Sequence, residues 1–125
     1  MLEIGEEIIE ATIGAAIEVH RELGPGLWES AYETALTHEC TLRKLKVVRQ
    51  QEVPLRYKGI ELAIGFRADM IVEGGLLLEL KVVEQISELH VAQIMTYQKL
   101  LGLKRGLILN FNVPALRLGI RRVSI

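Results

Sequence analysis

One acidic and one basic residue stand two positions apart in an otherwise apolar segment. Glu79 and Lys81 interrupt the run from Leu76 to Val83, and the alternation of side chains along a strand predicts that both lie on one face. Burying charged groups is costly unless they pair with each other or bind something. The two residues therefore indicate either a structural ion pair or a site for chemistry.

A second acid, Asp69, occupies the apolar segment that precedes this one. The residues between the two predicted strands, Glu73-Gly74-Gly75, decide whether Asp69 and Glu79 meet. A two-residue Gly-Gly loop would put the acids on opposite faces. A three-residue loop pairs 72 with 76 and 69 with 79, with the Cβ atoms about 5 Å apart. We predict the three-residue loop, because such loops need a left-handed residue and Gly74 or Gly75 can supply it.

Two carboxylates this close repel each other unless a proton or a cation lies between them. Hard oxygen ligands suit Mg²⁺, which binds through one or two carboxylates and completes its shell with water and substrate phosphate. Beside such an ion, Lys81 would suit a phosphate or an attacking water. The competing interpretation is an intra-sheet salt bridge of Lys81 with Asp69 or Glu79, and it predicts that the two acids point to opposite faces.

Two predicted helices carry polar residues at spacings of three and four, which share a helix face. These residues are Glu29, Tyr32 and Glu33 in the second helix, after the Gly24-Pro25-Gly26 break, and His90, Gln93 and Tyr97 in the third helix. Each stripe taken alone is also typical of a surface or of a helix cap.

The elements that must position these side chains follow from the periodicity of the apolar residues. Helical spacing predicts helices over 2–23, 27–45 and 87–101, and alternation predicts strands over 47–57, 61–72, 76–83, 105–111 and 119–124. The order ααβββαββ predicts an α+β fold with two N-terminal helices, a three-stranded antiparallel meander, a third helix and two further strands. We expect residues 1–125 to form a single domain.

The composition excludes several classes of protein. Half of the residues are hydrophobic and a quarter are charged, which excludes a disordered chain. No stretch approaches the roughly 20 uncharged apolar residues that span a bilayer, and the acidic N-terminus is unlike a signal peptide, so we expect a cytoplasmic protein. Cys40 is the one cysteine, which excludes an internal disulfide, and we expect it to be a small buried residue.

Charge is distributed unevenly along the chain. Residues 1–40 hold nine acids against Arg21 alone, whereas residues 41–125 hold 14 Lys and Arg against seven acids. Only the later part could therefore contact nucleic acid through a basic surface, and its basic clusters are equally typical of ordinary solvated faces. The net charge of −1 is too low for strong sequence-independent binding to nucleic acid.

The ordered set Asp69, Glu79-x-Lys81 and Gln93-x-x-x-Tyr97 resembles the D…(D/E)-x-K…Q-x-x-x-Y pattern of the PD-(D/E)XK nuclease superfamily. The segment Gly26-Leu-Trp-Glu-Ser-Ala-Tyr32 is similar to the signature of the small bacterial and archaeal GxxExxY proteins, which are usually grouped in that superfamily. The resemblance covers nearly the whole chain. One departure is Ala68, which stands where the pattern has Pro, and nothing in the metal chemistry needs a proline ring.

The resemblance implies a restriction-endonuclease-like αβββαβ core and a set of roles for the site residues. Asp69, Glu79 and the carbonyl of Leu80 would bind Mg²⁺ or Mn²⁺, and Lys81 would polarise the water or the scissile phosphate. Glu29 would approach the metal from the second helix, and Gln93 and Tyr97 would hold the phosphate backbone from the third helix.

These residues support a Mg²⁺-dependent nuclease that hydrolyses phosphodiester bonds by metal-activated water, with DNA favoured over RNA as the substrate. The alternative is a non-catalytic nucleic-acid-binding or interaction subunit on the same fold. A chain of this size would need a homodimer or a partner complex to hold a duplex, and Leu27, Trp28 and the first helix are candidate contact surfaces. The sequence leaves the strandedness of the substrate open.

Overall fold

A computed structural model describes residues 4–62 and 65–125. It contains three α-helices, seven strands and a short 3₁₀-helix over Leu116–Gly119. In chain order, the helices and strands are α1 (Glu6–Leu23), α2 (Glu29–Leu42), β1 (Val47–Val53), β2 (Arg56–Tyr57), β3 (Ile60–Glu61), β4 (Phe66–Val72), β5 (Leu76–Lys81), α3 (Glu88–Leu101), β6 (Arg105–Asn110) and β7 (Ile120–Ser124). No helix within the described ranges is long and apolar enough to cross a membrane.

Five strands form one mixed sheet in the order β1-β4-β5-β6-β7. Strand β4 runs antiparallel to both β1 and β5, whereas β5 and β6 are parallel. A parallel pair cannot be joined by a tight turn, and α3 makes the crossover between β5 and β6. Strand β7 closes the sheet antiparallel to β6.

The helices cover both faces of this sheet. Helices α1 and α2 pack on one face, where Tyr32, Leu36 and Cys40 meet the buried side chains of β4, β5 and β6. Helix α3 covers the other face through Ile94 and Tyr97. Residues that alternate along β5 reach opposite cores, as the period of two requires.

The predicted α+β, restriction-endonuclease-like fold is confirmed, and the predicted strands over 47–57 and 61–72 are corrected in their bounds. Strand β1 ends at Val53, because Pro54 has no N–H to continue the ladder. The chain then forms a small separate hairpin, β2–β3, whose Lys58-Gly59 turn has positive φ at both residues. Residues 63 and 64 of the second predicted strand lie outside the described residues.

The helix bounds are confirmed for α3 and corrected for α1 and α2. Ser87 accepts a hydrogen bond from the backbone N–H of His90 and Gly102 is left-handed, so both predicted ends of α3 hold. Helix α1 begins at Glu6, whereas the sequence predicted a start at residue 2. Residues 2 and 3 of that predicted helix lie outside the described part of the chain. Helix α2 ends at Leu42, before Lys44, which adopts a positive φ of 62°. The strands predicted to reach residues 83 and 111 end at Lys81 and Asn110, and the last strand begins at Ile120.

The predicted register between the two acid-bearing strands is confirmed. Val72 pairs with Leu76 and Met70 with Leu78 across a three-residue loop. Gly74 supplies the left-handed conformation (φ 69°), and Glu73 shares it (φ 51°). The carboxylate of Glu73 accepts a hydrogen bond from the backbone N–H of Lys46 at 2.6 Å, which ties this loop to the start of β1.

Candidate active site

The ladder between β4 and β5 changes where the two acids meet. The last regular pair is Met70 with Leu78, and beyond it side chains replace backbone partners. Glu79 Oε2 accepts a hydrogen bond from the Asp69 N–H at 2.9 Å, and Asp69 Oδ2 accepts one from the Leu80 N–H at 2.8 Å. The two carboxylates therefore lie together where the regular pairing of β4 with β5 ends, held by the backbone N–H groups of Asp69 and Leu80.

Strand β1, which pairs with the other edge of β4, is also irregular opposite Asp69. Strand β1 pairs Arg49 with Met70 and Gln51 with Ala68, but Gln50, which stands opposite Asp69, does not pair. Gln50 has a φ of 52°, which is rare for a residue with a side chain. At this level of the sheet the N–H of Asp69 donates to the Glu79 carboxylate. Non-glycine residues in this conformation cluster at functional sites.

A network of side chains from α2 holds Gln50 in place. The Glu33 carboxylate accepts a hydrogen bond from Gln50 Nε2 at 2.8 Å and forms an ion pair with Arg49 at 3.0 Å. Sequence reasoning placed Glu33 on a polar stripe of the second helix without finding these partners. The sequence feature that could have indicated these contacts is the adjacent Arg49 and Gln50 on the strand that follows α2.

Burial raises the pKa values of both site acids, and the charge of Asp69 adds to the shift at Glu79. Glu79 is only 5% exposed, and burial together with the charge of Asp69 raises the pKa of Glu79 to about 8. Burial also raises the pKa of Asp69 to about 6, although the hydrogen bond from Leu80 opposes the shift. Two neighbouring carboxyl groups with raised pKa values are typical of catalytic and cation-binding sites.

Lys81 lies at the end of β5, partly buried, on the same strand as Glu79. Its charge lowers the pKa values of both acids but does not reverse the shift. Among the ion pairs formed by the described residues, none involves Lys81. The salt-bridge interpretation required such a pair and opposite faces for the acids, and the structure contradicts it on both points.

The donor set around the acids fits a cation that uses few protein ligands. Asp69 Oδ1 and Glu79 Oε1 accept no hydrogen bond from the described residues, because only Oδ2 and Oε2 are engaged. The carbonyl of Leu80 points to the same side of its strand as the N–H that reaches Asp69. Within the described ranges no group of three or more His, Cys, Asp or Glu side chains could hold a metal. A site here would have two carboxylates, which suits Mg²⁺ completed by water and phosphate.

Helix α3 brings two of the predicted site residues together. Gln93 Nε2 donates a hydrogen bond to the hydroxyl oxygen of Tyr97 at 3.2 Å. The pKa of Tyr97 is raised by burial and then by the negative charge of Glu79, which shows that the phenol lies near that carboxylate. His90 has a different role, because its Nδ1 accepts a hydrogen bond from the Ser87 N–H and completes a capping box.

Helix α2 brings its first residue towards the site from the other layer. Glu29 is exposed at the N-terminus of α2, and its charge contributes to the raised pKa values of Asp69 and Glu79. Tyr32 is instead structural. Its hydroxyl donates to the carbonyl of Gly24 and accepts from the Leu27 N–H, and its ring stacks on Phe111 at 4.3 Å.

Two further polar residues support the loops around the site. Asn110 is buried and bonds both the N–H and the carbonyl of Val83, which fixes the segment after Lys81. His20 Nε2 contacts the carbonyl oxygens of Phe111 and Val113, and because both partners are acceptors this nitrogen carries the proton. Cys40 is fully buried, and burial raises the pKa of its thiol to about 11, so it is a core residue as expected.

One comparison with known proteins assigns the chain to a family. The model of a family described as PD-(D/E)XK nuclease superfamily matches residues 6–123. No curated protein and no solved structure matches the chain significantly. The matched range contains every residue that the sequence pattern predicts for the site, namely Glu29, Asp69, Glu79, Leu80, Lys81, Gln93 and Tyr97.

Proposed function

Because the chain belongs to the PD-(D/E)XK nuclease superfamily, we propose that it is a divalent-metal-dependent nuclease that hydrolyses phosphodiester bonds of nucleic acid. The observation that carries the proposal is the pair of carboxyl groups of the partly buried Asp69 and the buried Glu79, beside Lys81, which forms an ion pair with neither. Within the superfamily, the Gly26, Glu29 and Tyr32 motif supports membership of the GxxExxY proteins.

Asp69, Glu79 and the Leu80 carbonyl are the residues that would hold Mg²⁺ or Mn²⁺. When bound, such an ion polarises the phosphoryl oxygens and lowers the pKa of a bound water. The protein atoms have matching properties. Two carboxylate oxygens are free of hydrogen bonds to the described residues, and the other two are fixed by backbone N–H groups. The fixed oxygens hold the carboxylates in one orientation before any ligand arrives.

Lys81 supplies positive charge at the same end of the sheet. Its ammonium group forms no ion pair with any described acid, so it can donate to a phosphate oxygen or hold the attacking water. A donor of this kind acts where negative charge develops during phosphodiester hydrolysis. We therefore assign Lys81 to stabilisation of the transition state rather than to binding of the substrate.

The helix residues have orienting roles in this proposal. Tyr97, which accepts a hydrogen bond from Gln93, can direct its own O–H towards the carboxylates or the substrate backbone. Glu29 adds negative charge at the α2 side of the site and would favour the cation. The net charge of −1 is low for a protein that binds nucleic acid by charge alone, so holding a DNA duplex would require a homodimer or a partner complex.

A cleavage assay tests the proposal. Labelled single- and double-stranded DNA and RNA are incubated with Mg²⁺ or Mn²⁺ and with the wild type, Lys81→Ala or Lys99→Ala, where Lys99 is an exposed lysine of α3. We expect metal-dependent cleavage by the wild type and by Lys99→Ala. We expect at least a roughly hundredfold loss in Lys81→Ala, because a transition-state contact is removed.

Two results would contradict the proposed function. Equal cleavage by the wild type and Lys81→Ala would identify a contaminating nuclease. No cleavage of any substrate, with nucleic acid still bound, would favour the non-catalytic binding subunit.

A further inference from the structure

One large aromatic side chain stands in solvent next to the candidate active site. Trp28 is 83% exposed, more than any other large hydrophobic residue in the described part of the chain. It occupies the N-cap position of α2 without donating or accepting a capping hydrogen bond, although Ser, Thr, Asp or Asn stabilise a helix best there. Trp28 thus gives up a local stabilising contact and exposes apolar surface, which favours a binding role.

Trp28 lines a cleft whose lining includes one of the predicted site residues. The cleft has a volume of about 510 Å³ and is lined by Gly26, Leu27, Trp28, Glu29, Ser30 and Val82. Glu29 is the α2 acid whose charge acts on Asp69 and Glu79, and Val82 directly follows Lys81. A ligand bound in this cleft would therefore contact Glu29 and the residue that follows Lys81.

A second apolar surface borders the same site from the α3 side. A cleft of about 370 Å³ runs between α3 and the base of the β2–β3 hairpin. Gln93 and Tyr97 belong both to this cleft and to the site, and Phe66, Leu55 and Leu89 provide most of its apolar lining. The rings of Phe66 and Tyr97 lie 6.3 Å apart. Apolar surface thus adjoins predicted site residues on both helices, namely Glu29 on α2 and Gln93 and Tyr97 on α3.

We propose that the substrate is an unpaired nucleic-acid strand, with one base stacked on Trp28 and the next bases directed to the α3 cleft on the other side of the scissile phosphate. This inference rests on the proposed nuclease function. Base faces are hidden inside a duplex, whereas an unpaired strand offers them to aromatic side chains. The Trp28 cleft contains no basic side chain among its lining residues, so stacking rather than phosphate contact must supply affinity there.

Intrinsic fluorescence gives a direct test, because Trp28 is the one tryptophan of the sequence. Stacking on a base quenches indole emission. The protein is titrated at fixed salt, in EDTA to prevent cleavage, with a single-stranded oligonucleotide, with the same sequence as a duplex, and with a strand of abasic sites. We expect saturable quenching by the single strand only. Equal quenching by the abasic strand would overturn the stacking contact.

Variants separate Trp28 from general surface effects. Trp28→Ala is compared with Leu118→Ala, which removes another exposed apolar side chain, 60% exposed and outside both clefts. Affinity is measured by anisotropy of labelled oligonucleotides. We expect Trp28→Ala to bind the single strand about tenfold more weakly, the size of one lost stacking contact. Trp28→Phe should restore most of the affinity, and Leu118→Ala should bind like the wild type.

Other outcomes would overturn the inference and leave the proposed function intact. If the duplex binds as tightly as the single strand and Trp28→Ala changes neither, the substrate is not selected by stacking on Trp28. If Trp28→Ala instead converts a dimer to a monomer without a change in affinity for the single strand, Trp28 contacts a second copy of the chain. Quenching by the single strand without any metal-dependent cleavage would support the stacking surface and contradict the nuclease function.

Discussion

Two buried glutamates, Glu33 on α2 and Glu79 on β5, differ in the groups that surround their carboxylates. They are 9% and 5% exposed. Glu33 has Arg49 at 3.0 Å and the Gln50 amide at 2.8 Å. Glu79 has one backbone N–H and the repelling carboxylate of Asp69. The protein pairs one buried acid with an arginine, whereas the other has no ion-pair partner among the described residues.

The difference between the two glutamates indicates where the folded protein keeps an electrostatically unfavourable arrangement. Leaving a buried carboxyl group beside another costs stability, and natural proteins retain such arrangements mainly at functional sites. The Glu33 network lies next to this arrangement, because Gln50, which it holds, stands opposite Asp69. Glu33, whose charge is paired with Arg49, therefore supports the backbone segment that lies opposite Asp69.

The largest expected effect is on cleavage. Glu79→Gln removes the charge but keeps an oxygen for the Asp69 N–H, so the backbone stays in place while the cation loses a ligand. We expect at least a roughly hundredfold loss of metal-dependent cleavage. Glu33→Gln keeps the contact with Gln50 and should cleave within a fewfold of the wild type. Equal loss of activity by both variants in single-turnover assays would contradict the distinction between Glu33 and Glu79.

Stability should change in opposite directions in the same two variants. Glu33→Gln loses the ion pair with the half-exposed Arg49, and we expect the free energy of unfolding to fall by about 1 kcal/mol. Glu79→Gln relieves repulsion between buried acids, so the metal-free protein should unfold at a higher denaturant concentration than the wild type. Urea unfolding in EDTA measures both changes. A destabilised Glu79→Gln would mean that this acid has a structural partner after all.

A smaller effect is the pH dependence of stability. The pKa values of Asp69 and Glu79 are raised in the folded state, from 3.8 to about 6 and from 4.5 to about 8. Between the ordinary and the raised values the folded protein binds more protons than the unfolded chain, so stability falls as the pH rises. We expect the thermal midpoint in EDTA to decrease from about pH 5 to about pH 8. Glu79→Gln should show a shallower decrease, and an unchanged slope would contradict the raised pKa of Glu79.

Local signals in the sequence predicted the geometry of the acid pair. The loop over 73–75 fixes the register because a hairpin of known loop length leaves one pairing, and Val72 opposite Leu76 is the result. Ser87 and Gly102 fix the ends of α3, since both act through contacts within a few residues. The spacing of the residues did not show that Asp69, Glu79 and Lys81 on the strands belong to one site with Gln93 and Tyr97 on the third helix. That prediction came from the resemblance to the nuclease superfamily.

The sequence could not predict contacts that depend on how distant elements pack. The left-handed Gln50 follows from its contact with Glu33, seventeen residues earlier, and no local pattern encodes it. The hydrogen bonds of His20 to the carbonyls of Phe111 and Val113 span most of the chain. The strand predicted over 47–57 was too long because alternation continued past Pro54 while hydrogen bonding did not.

Calorimetric titration of Mn²⁺ or Mg²⁺ into the metal-free protein tests the central claim most directly, which is that Asp69 and Glu79 form a divalent-cation site. At neutral pH the raised pKa of Glu79 keeps a proton on the pair, and metal binding must release it. We predict binding with proton release, seen as a dependence of the measured enthalpy on the buffer. Binding should be lost in Glu79→Gln and retained in Glu33→Gln. Equal binding by the wild type and Glu79→Gln, or binding without proton release, would contradict the claim.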